Sequence, residues 1–90
     1  MKAYIIVEDW VLNGEKGDLE IKGYSNKEKA ENEFKRRVEQ AREDLSHISC
    51  VVEDDITTYR GETTFSIYED GCYDRAHVDI KLKEMDFEEE

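Results

Sequence analysis

The clearest periodicity in the chain runs from Ser25 to Ser46. Ala30, Phe34, Val38, Ala41 and Leu45 recur there at spacings of four, four, three and four. At 100° per residue these five positions fall within an arc of about 80°, a narrow apolar stripe suited to lying on a sheet. Ser25 followed by Glu28 reads as a capping box, each residue satisfying an amide of the other at the start of the helix. Glu31 with Lys35 and Glu33 with Arg37 stand in the favourable i,i+4 order, each pair adding ~0.2–0.5 kcal/mol. The pattern predicts one amphipathic helix.

The flanking segments alternate with period two instead. Lys2 to Leu12 is apolar on both sides, with Ala3, Ile5, Val7 and Val11 on one and Tyr4, Ile6 and Trp10 on the other. Such a strand is central in its sheet or covered on both faces. Asn13-Gly14 begins a hairpin turn, and Asp18 to Tyr24 returns with Leu19 and Ile21 inward. After the helix, Ile48, Cys50 and Val52 form the inward phase of a third strand. Ile56 to Tyr59 continues it beyond a bulge at Glu53-Asp54-Asp55. Arg60-Gly61 turns the chain into a fourth strand, Thr63 to Tyr68, with Phe65 and Ile67 inward. Glu69-Asp70-Gly71-Cys72 makes a tight turn into a fifth, Tyr73 to Met85, where Ala76, Val78, Ile80 and Leu82 alternate with His77, Asp79, Lys81 and Lys83.

The order ββαβββ predicts an α+β fold: an antiparallel sheet of four to five strands with one amphipathic helix on one face. The expected core is Ile5, Val7, Leu19, Ile21, Ala30, Phe34, Val38, Ala41, Leu45, Cys50, Val52, Phe65, Ile67, Val78, Ile80 and Leu82. On this reading Tyr4, Ile6 and Trp10 lie on the uncovered face and form a partner or dimer surface. Residues 1–90 are expected to make one domain, with a frayed acidic tail at 86–90.

Charge alters this picture more than length does. The net charge is −11, and its placement is uneven. Within 25–46 the bases Lys27, Lys29, Lys35, Arg36, Arg37 and Arg42 balance Glu28, Glu31, Glu33, Glu39, Glu43 and Asp44. The deficit therefore falls on the strands, loops and tail. From 47 to 74, seven acids face Arg60 alone. Such a surface repels nucleic acid and anionic membrane and attracts basic partners; a purely solubilising role is the simpler reading. With no long apolar run and no basic-then-apolar leader, the chain is expected to be cytoplasmic, with Cys50 and Cys72 as reduced thiols.

Candidate chemistry is sparse. His47, Cys50, Cys72 and His77 supply zinc-type ligands, but not at the paired spacing of a zinc site. Asp54-Asp55 and the Glu69–Asp74 turn lack the spaced oxygens of a calcium loop. Glu53 with Glu69, or Glu8 with Asp79, could pair for acid–base work, but a chain this acidic supplies such pairs by chance. No nucleophile elbow or glycine-rich phosphate loop is present. The expectation is a non-enzymatic protein with no cofactor and no metal.

Tyr24-Ser25-Asn26-Lys27-Glu28-Lys29-Ala30-Glu31 at the helix start resembles small uncharacterised acidic proteins of bacteria, phages and mobile elements. So does the hairpin Phe65-Ser66-Ile67-Tyr68-Glu69-Asp70-Gly71 closing into Ala76-His77-Val78. The resemblance covers most of the chain in layout and carries over no catalytic residue. It implies a bacterial or phage setting and an inhibitory role of the anti-CRISPR or DNA-mimic type. The expected function is then a protein-interaction module that blocks a basic, nucleic-acid-binding protein, using Glu53, Asp54, Asp55, Glu62, Glu69, Asp70, Asp74 and Asp79 where a nucleic acid would place phosphates. The alternatives are a structural or homodimeric domain whose acidity only serves solubility, and a metal-binding or enzymatic domain using His77, Cys50 and Cys72.

Overall fold

A computed structural model of the chain describes residues 2–86; the tail beyond Asp86 lies outside the described residues. One helix, α1 (Lys27–Asp44), packs on an antiparallel sheet of seven strands: β1 (Lys2–Leu12), β2 (Glu15–Lys16), β3 (Glu20–Tyr24), β4 (Val51–Glu53), β5 (Thr57–Tyr59), β6 (Glu62–Glu69) and β7 (His77–Asp86). The sheet runs β2-β1-β7-β6-β4, with β3 also on β1 and β5 also on β6. The seven strands therefore occupy five ladder positions. The fold class is the predicted α+β; the higher strand count comes from each edge strand being broken once.

Both breaks are bulges. Along β1, Leu12 pairs with Glu15 and Val11 with Lys16, whereas Glu8 pairs with Glu20 and Tyr4 with Tyr24. One extra residue has entered at Gly17–Leu19. Along β6, Ile67 pairs with Glu53 but Thr64 pairs with Thr57, so one extra residue has entered at Asp54–Ile56, as the sequence predicts. An edge bulge twists the strand and interrupts its free backbone groups, which discourages edge-to-edge association. The hairpin turns are chemically matched: Asn13 and Gly14, and Arg60 and Gly61, all take positive φ, the requirement of a type I′ turn.

Gly17 has a further reason to be glycine. The Trp10 indole lies across it, and a Cβ there would stand 2.0 Å from Trp10 Cε2. Gly17→Ala should lift the indole off the edge strand and cost about 1–3 kcal/mol. Trp10 is the chain's single tryptophan, so its emission should shift to the red; unchanged emission would show that the ring does not rest on Gly17.

The helix starts one residue later than its sequence suggests. Asn26, not Ser25, is the N-cap, and its side chain accepts from the Lys29 amide at 3.1 Å. Glu33 does pair with Arg37 at 3.0 Å, while Glu31 approaches Lys27 instead of Lys35. Ala30, Phe34, Val38, Ala41 and Leu45 are all buried, against Phe65, Ile67, Val78, Ile80 and Leu82 of the sheet. These ten were expected in the core.

The first strand is in the opposite phase to that expected. Ile6 is 0% exposed, and Tyr4, Trp10 and Leu12 pack on the same core. The Tyr4, Ile6 and Trp10 face is thus the face under the helix, and it is not a free dimer surface. The reason is the pairing of β1 with β7, where Ile6 opposes Leu82, Glu8 opposes Ile80 and Trp10 opposes Val78. Directly opposed residues share a face, so the strict alternation of β7 dictates the phase of β1. Ile5 and Val7 are consequently half-buried on the open face, and Leu19 and Ile21 are exposed. The segment after the helix is also displaced. Residues 47–50 are loop, Cys50 is exposed, Val51 faces the helix and Val52 the open side. Cys72 to Ala76 forms a turn, with Arg75 and Ala76 amides donating to the Cys72 carbonyl; β7 begins only at His77.

Candidate functional site

Alternation along β7 sends Val78, Ile80 and Leu82 under the helix and leaves His77 and Asp79 on the open face. The register adds their neighbours: Asp9 and Val11 from β1 oppose Asp79 and His77 on one side, and Ser66 and Tyr68 from β6 oppose them on the other. The turn before β7 folds Tyr73 back over this face. Its ring stacks on His77 at 3.9 Å and 7°, and Tyr68 meets its edge at 5.6 Å. The stack explains why His77 is buried on an otherwise uncovered face.

Polar contacts fix the cluster. The Tyr73 hydroxyl donates to Asp79 Oδ2, and the Ser66 hydroxyl donates to Asp79 Oδ1. His77 Nδ1 lies 2.9 Å from the Tyr73 carbonyl. A carbonyl only accepts, so Nδ1 is the donor in this contact. Nε2 stands 3.8 Å from Asp79 Oδ2. One ligand-type atom each from Asp9, His77 and Asp79 lies within 4.8 Å of the others. Burial, and then the Asp79 carboxylate, push the Tyr73 phenol well above its usual range, which keeps it protonated as a donor.

The second polar grouping lies on the helix side. Arg37 donates through Nη1 to Glu8 at 3.1 Å and through Nε to Glu33 at 3.0 Å, with Glu20 at 3.7 Å. Burial raises Glu8 above the usual carboxylate range even though Arg37 opposes that shift. Hydrogen bonds from Arg36 chiefly hold Glu33 low. This network ties the helix to β1 and β3.

The eight acids expected to form a binding surface divide into two groups. Glu53 is bound by Arg42, which also holds Glu39. Glu62 faces Lys81 at 3.6 Å, Glu69 faces Arg75 at 3.8 Å, and Asp79 belongs to the histidine cluster. Asp54, Asp55, Asp70 and Asp74 are exposed and have no ion-pair partner among the described residues. Asp54 and Asp55 sit at the bulge between β4 and β5. The Asp70 amide donates to the Cys50 carbonyl just before β4, so Asp70 adjoins the same sheet edge, and Asp74 lies in the turn that follows it.

Other expected pairings are not brought together. Glu8 and Asp79 point to opposite faces of the sheet, because Glu8 opposes Ile80. Cys50 and Cys72 are exposed free thiols, and His77 gathers with Asp9 and Asp79 instead of with them. Asp9 was not a candidate on sequence grounds. It becomes visible once β1 is paired with β7, since the alternation of both strands then places it opposite Asp79. Among the described residues, no helix is long and apolar enough to cross a membrane. No known protein family, curated protein or solved structure matches the chain.

Proposed function

We propose that this chain is a non-enzymatic interaction domain of the cytoplasm that binds a basic protein through the acidic edge formed by β4, β5 and the β6–β7 turn. The observation that supports this reading is the separation of neutralised from free acids. Arginine and lysine side chains of the chain itself engage Glu53, Glu62 and Glu69, while Asp54 and Asp55 at the β4–β5 bulge and Asp70 and Asp74 in the β6–β7 turn remain exposed. Four residues of extended chain separate Cys50 from Asp54, about 13 Å at 3.3 Å per residue. That spread is of the order over which duplex DNA presents several phosphates. A basic nucleic-acid-binding protein therefore meets carboxylates at fixed positions on a rigid edge, and would be blocked by occupation of its own phosphate sites. No direct binding of nucleic acid or of anionic membrane is expected from a surface of this sign.

Steering by exposed charges makes association fast and sensitive to salt. The test is capture from a bacterial lysate at low and high salt. The account expects a basic, nucleic-acid-binding partner that is retained at low salt and released at high salt. Joint Asp54→Lys, Asp55→Lys, Asp70→Lys and Asp74→Lys changes should abolish its capture, and a chelator should leave it unaffected. Recovery of no basic partner from wild type at low salt would sink the proposal and leave solubility as the role of the acidity.

A further inference from the structure

We propose that Asp9, His77 and Asp79 bind one divalent transition-metal cation on the open face of the sheet. This site is separate from the acidic edge and does not rest on the function proposed for it.

Asp9 and Asp79 are direct cross-strand neighbours on two adjacent central strands. Like charges at directly opposed positions destabilise a sheet. Asp79 is partly relieved by two hydroxyl donors, Ser66 and Tyr73. His77 carries the argument further. It is only 8% exposed, and its Nδ1 proton is committed to the Tyr73 carbonyl. Nε2 has no hydrogen-bond partner among the described residues and stands 3.8 Å from Asp79 Oδ2. One imidazole nitrogen and two carboxylates thus converge, a ligand atom from each lying within 4.8 Å of the others. The group that completes such an arrangement is a cation.

The surroundings are those a metal ligand needs. A ligating histidine ordinarily donates its other ring N–H to a carbonyl or carboxylate, and a ligating carboxylate is itself hydrogen-bonded. His77 and Asp79 meet these conditions before any metal is added. The three donor atoms, within 4.8 Å of one another, need to draw in only modestly. Metal–ligand bonds of about 2.0–2.2 Å set donor atoms roughly 3–4 Å apart; His77 Nε2 and Asp79 Oδ2 already stand 3.8 Å apart, and rotation of Asp9 supplies the rest. The site opens onto a groove lined by Val7, Leu19, Thr64 and Lys81, which gives the ion access and room for water to complete its coordination. Lys81, the base on that groove, is turned toward Glu62 at 3.6 Å. One imidazole with two carboxylates suits Zn²⁺, Mn²⁺ or Fe²⁺ better than Ca²⁺, which takes six to eight oxygens.

The experiment uses the full chain, free of any affinity tag and stripped of metal, titrated separately with Zn²⁺ and Mn²⁺ and followed by calorimetry and thermal melting. The expected result is one saturable equivalent in the micromolar range or tighter, with a rise in Tm of at least about 5 °C near saturation. Asp9→Asn should weaken binding at least about tenfold, yet leave the metal-free Tm unchanged or higher, because it removes the like-charge contact. His77→Gln should weaken binding similarly, and Asp9→Asn decides the matter alone if His77→Gln does not fold. A Cys50→Ser, Cys72→Ser double variant should bind as wild type does. The proposal is overturned by absence of a saturable site, by Asp9→Asn binding with undiminished affinity, by loss of binding in the cysteine variant, or by an equal response to Ca²⁺ at the same concentration.

Discussion

Phe34→Ala should destabilise the protein by about 3–5 kcal/mol, the range for removing a buried aromatic ring without collapse of the surroundings. Phe34 is 4% exposed and sits at the centre of the helix stripe, between Ala30 and Val38 on the same face. Its neighbours on that face include two alanines, so little side-chain volume is available to move into the space left behind. A domain of this length has about 5–13 kcal/mol in total, so the loss takes a large part of it. Urea denaturation followed by Trp10 emission reads the change directly. The midpoint should fall steeply while the dependence on urea stays constant. An unmoved midpoint would show that the helix does not dock on this face.

Arg37→Met should cost about 2–3 kcal/mol, less than the full loss of a buried ion pair because the site keeps some solvent. The Arg37 and Glu8 side chains are 11% and 16% exposed. Methionine retains the packing of the aliphatic stem but leaves Glu8, Glu20 and Glu33 facing one another without their shared cation. The pH dependence distinguishes lost charge from lost packing. A carboxyl whose pKa is higher in the fold than in the unfolded chain weakens the fold at pH above its folded value, and that cost is relieved as pH falls through it. Glu8 is such a group already, and loss of Arg37 raises it further. The deficit of Arg37→Met relative to wild type should therefore be greatest near neutrality and shrink on acidification. Glu8→Gln should behave oppositely, as stable as wild type or more so near neutrality. A deficit of Arg37→Met independent of pH would show that the guanidinium acts only by packing.

The sequence made the helix legible because its apolar stripe has a single solution. Five positions within one arc bury together wherever the helix lies, and all five are buried. β7 was legible for the same reason, one face being apolar and the other charged. β1 was not, because both its faces are apolar. The choice between Ile5 with Val7 and Ile6 with Trp10 depends on which strand lies alongside, and local periodicity carries no information about that. Pairing with β7 fixes it, and the same pairing brings Asp9 to Asp79. After the helix the alternation of Ile48, Cys50 and Val52 points one residue away from the observed phase, in which Val51 faces the core. A shift of one residue exchanges the faces, which moved Cys50 from the expected core to the surface. Alternation alone puts Tyr73 in the last strand; the turn that carries it over His77 depends on the Cys72 carbonyl accepting two amides, a contact without a signature in residue type. The acids were legible as a total, but their neutralisation was not. Arg42 reaching Glu53, and Lys81 reaching Glu62, are tertiary contacts that decide which carboxylates remain available.

The most direct test of the proposed role is amide chemical-shift mapping of the isotope-labelled chain with its captured basic partner. The account predicts changes confined to Asp54–Asp55 and to the turn from Glu69 to Asp74, fading as salt is raised to about 0.5 M. Changes centred on the exposed face of the helix, or a complex indifferent to salt, would contradict it.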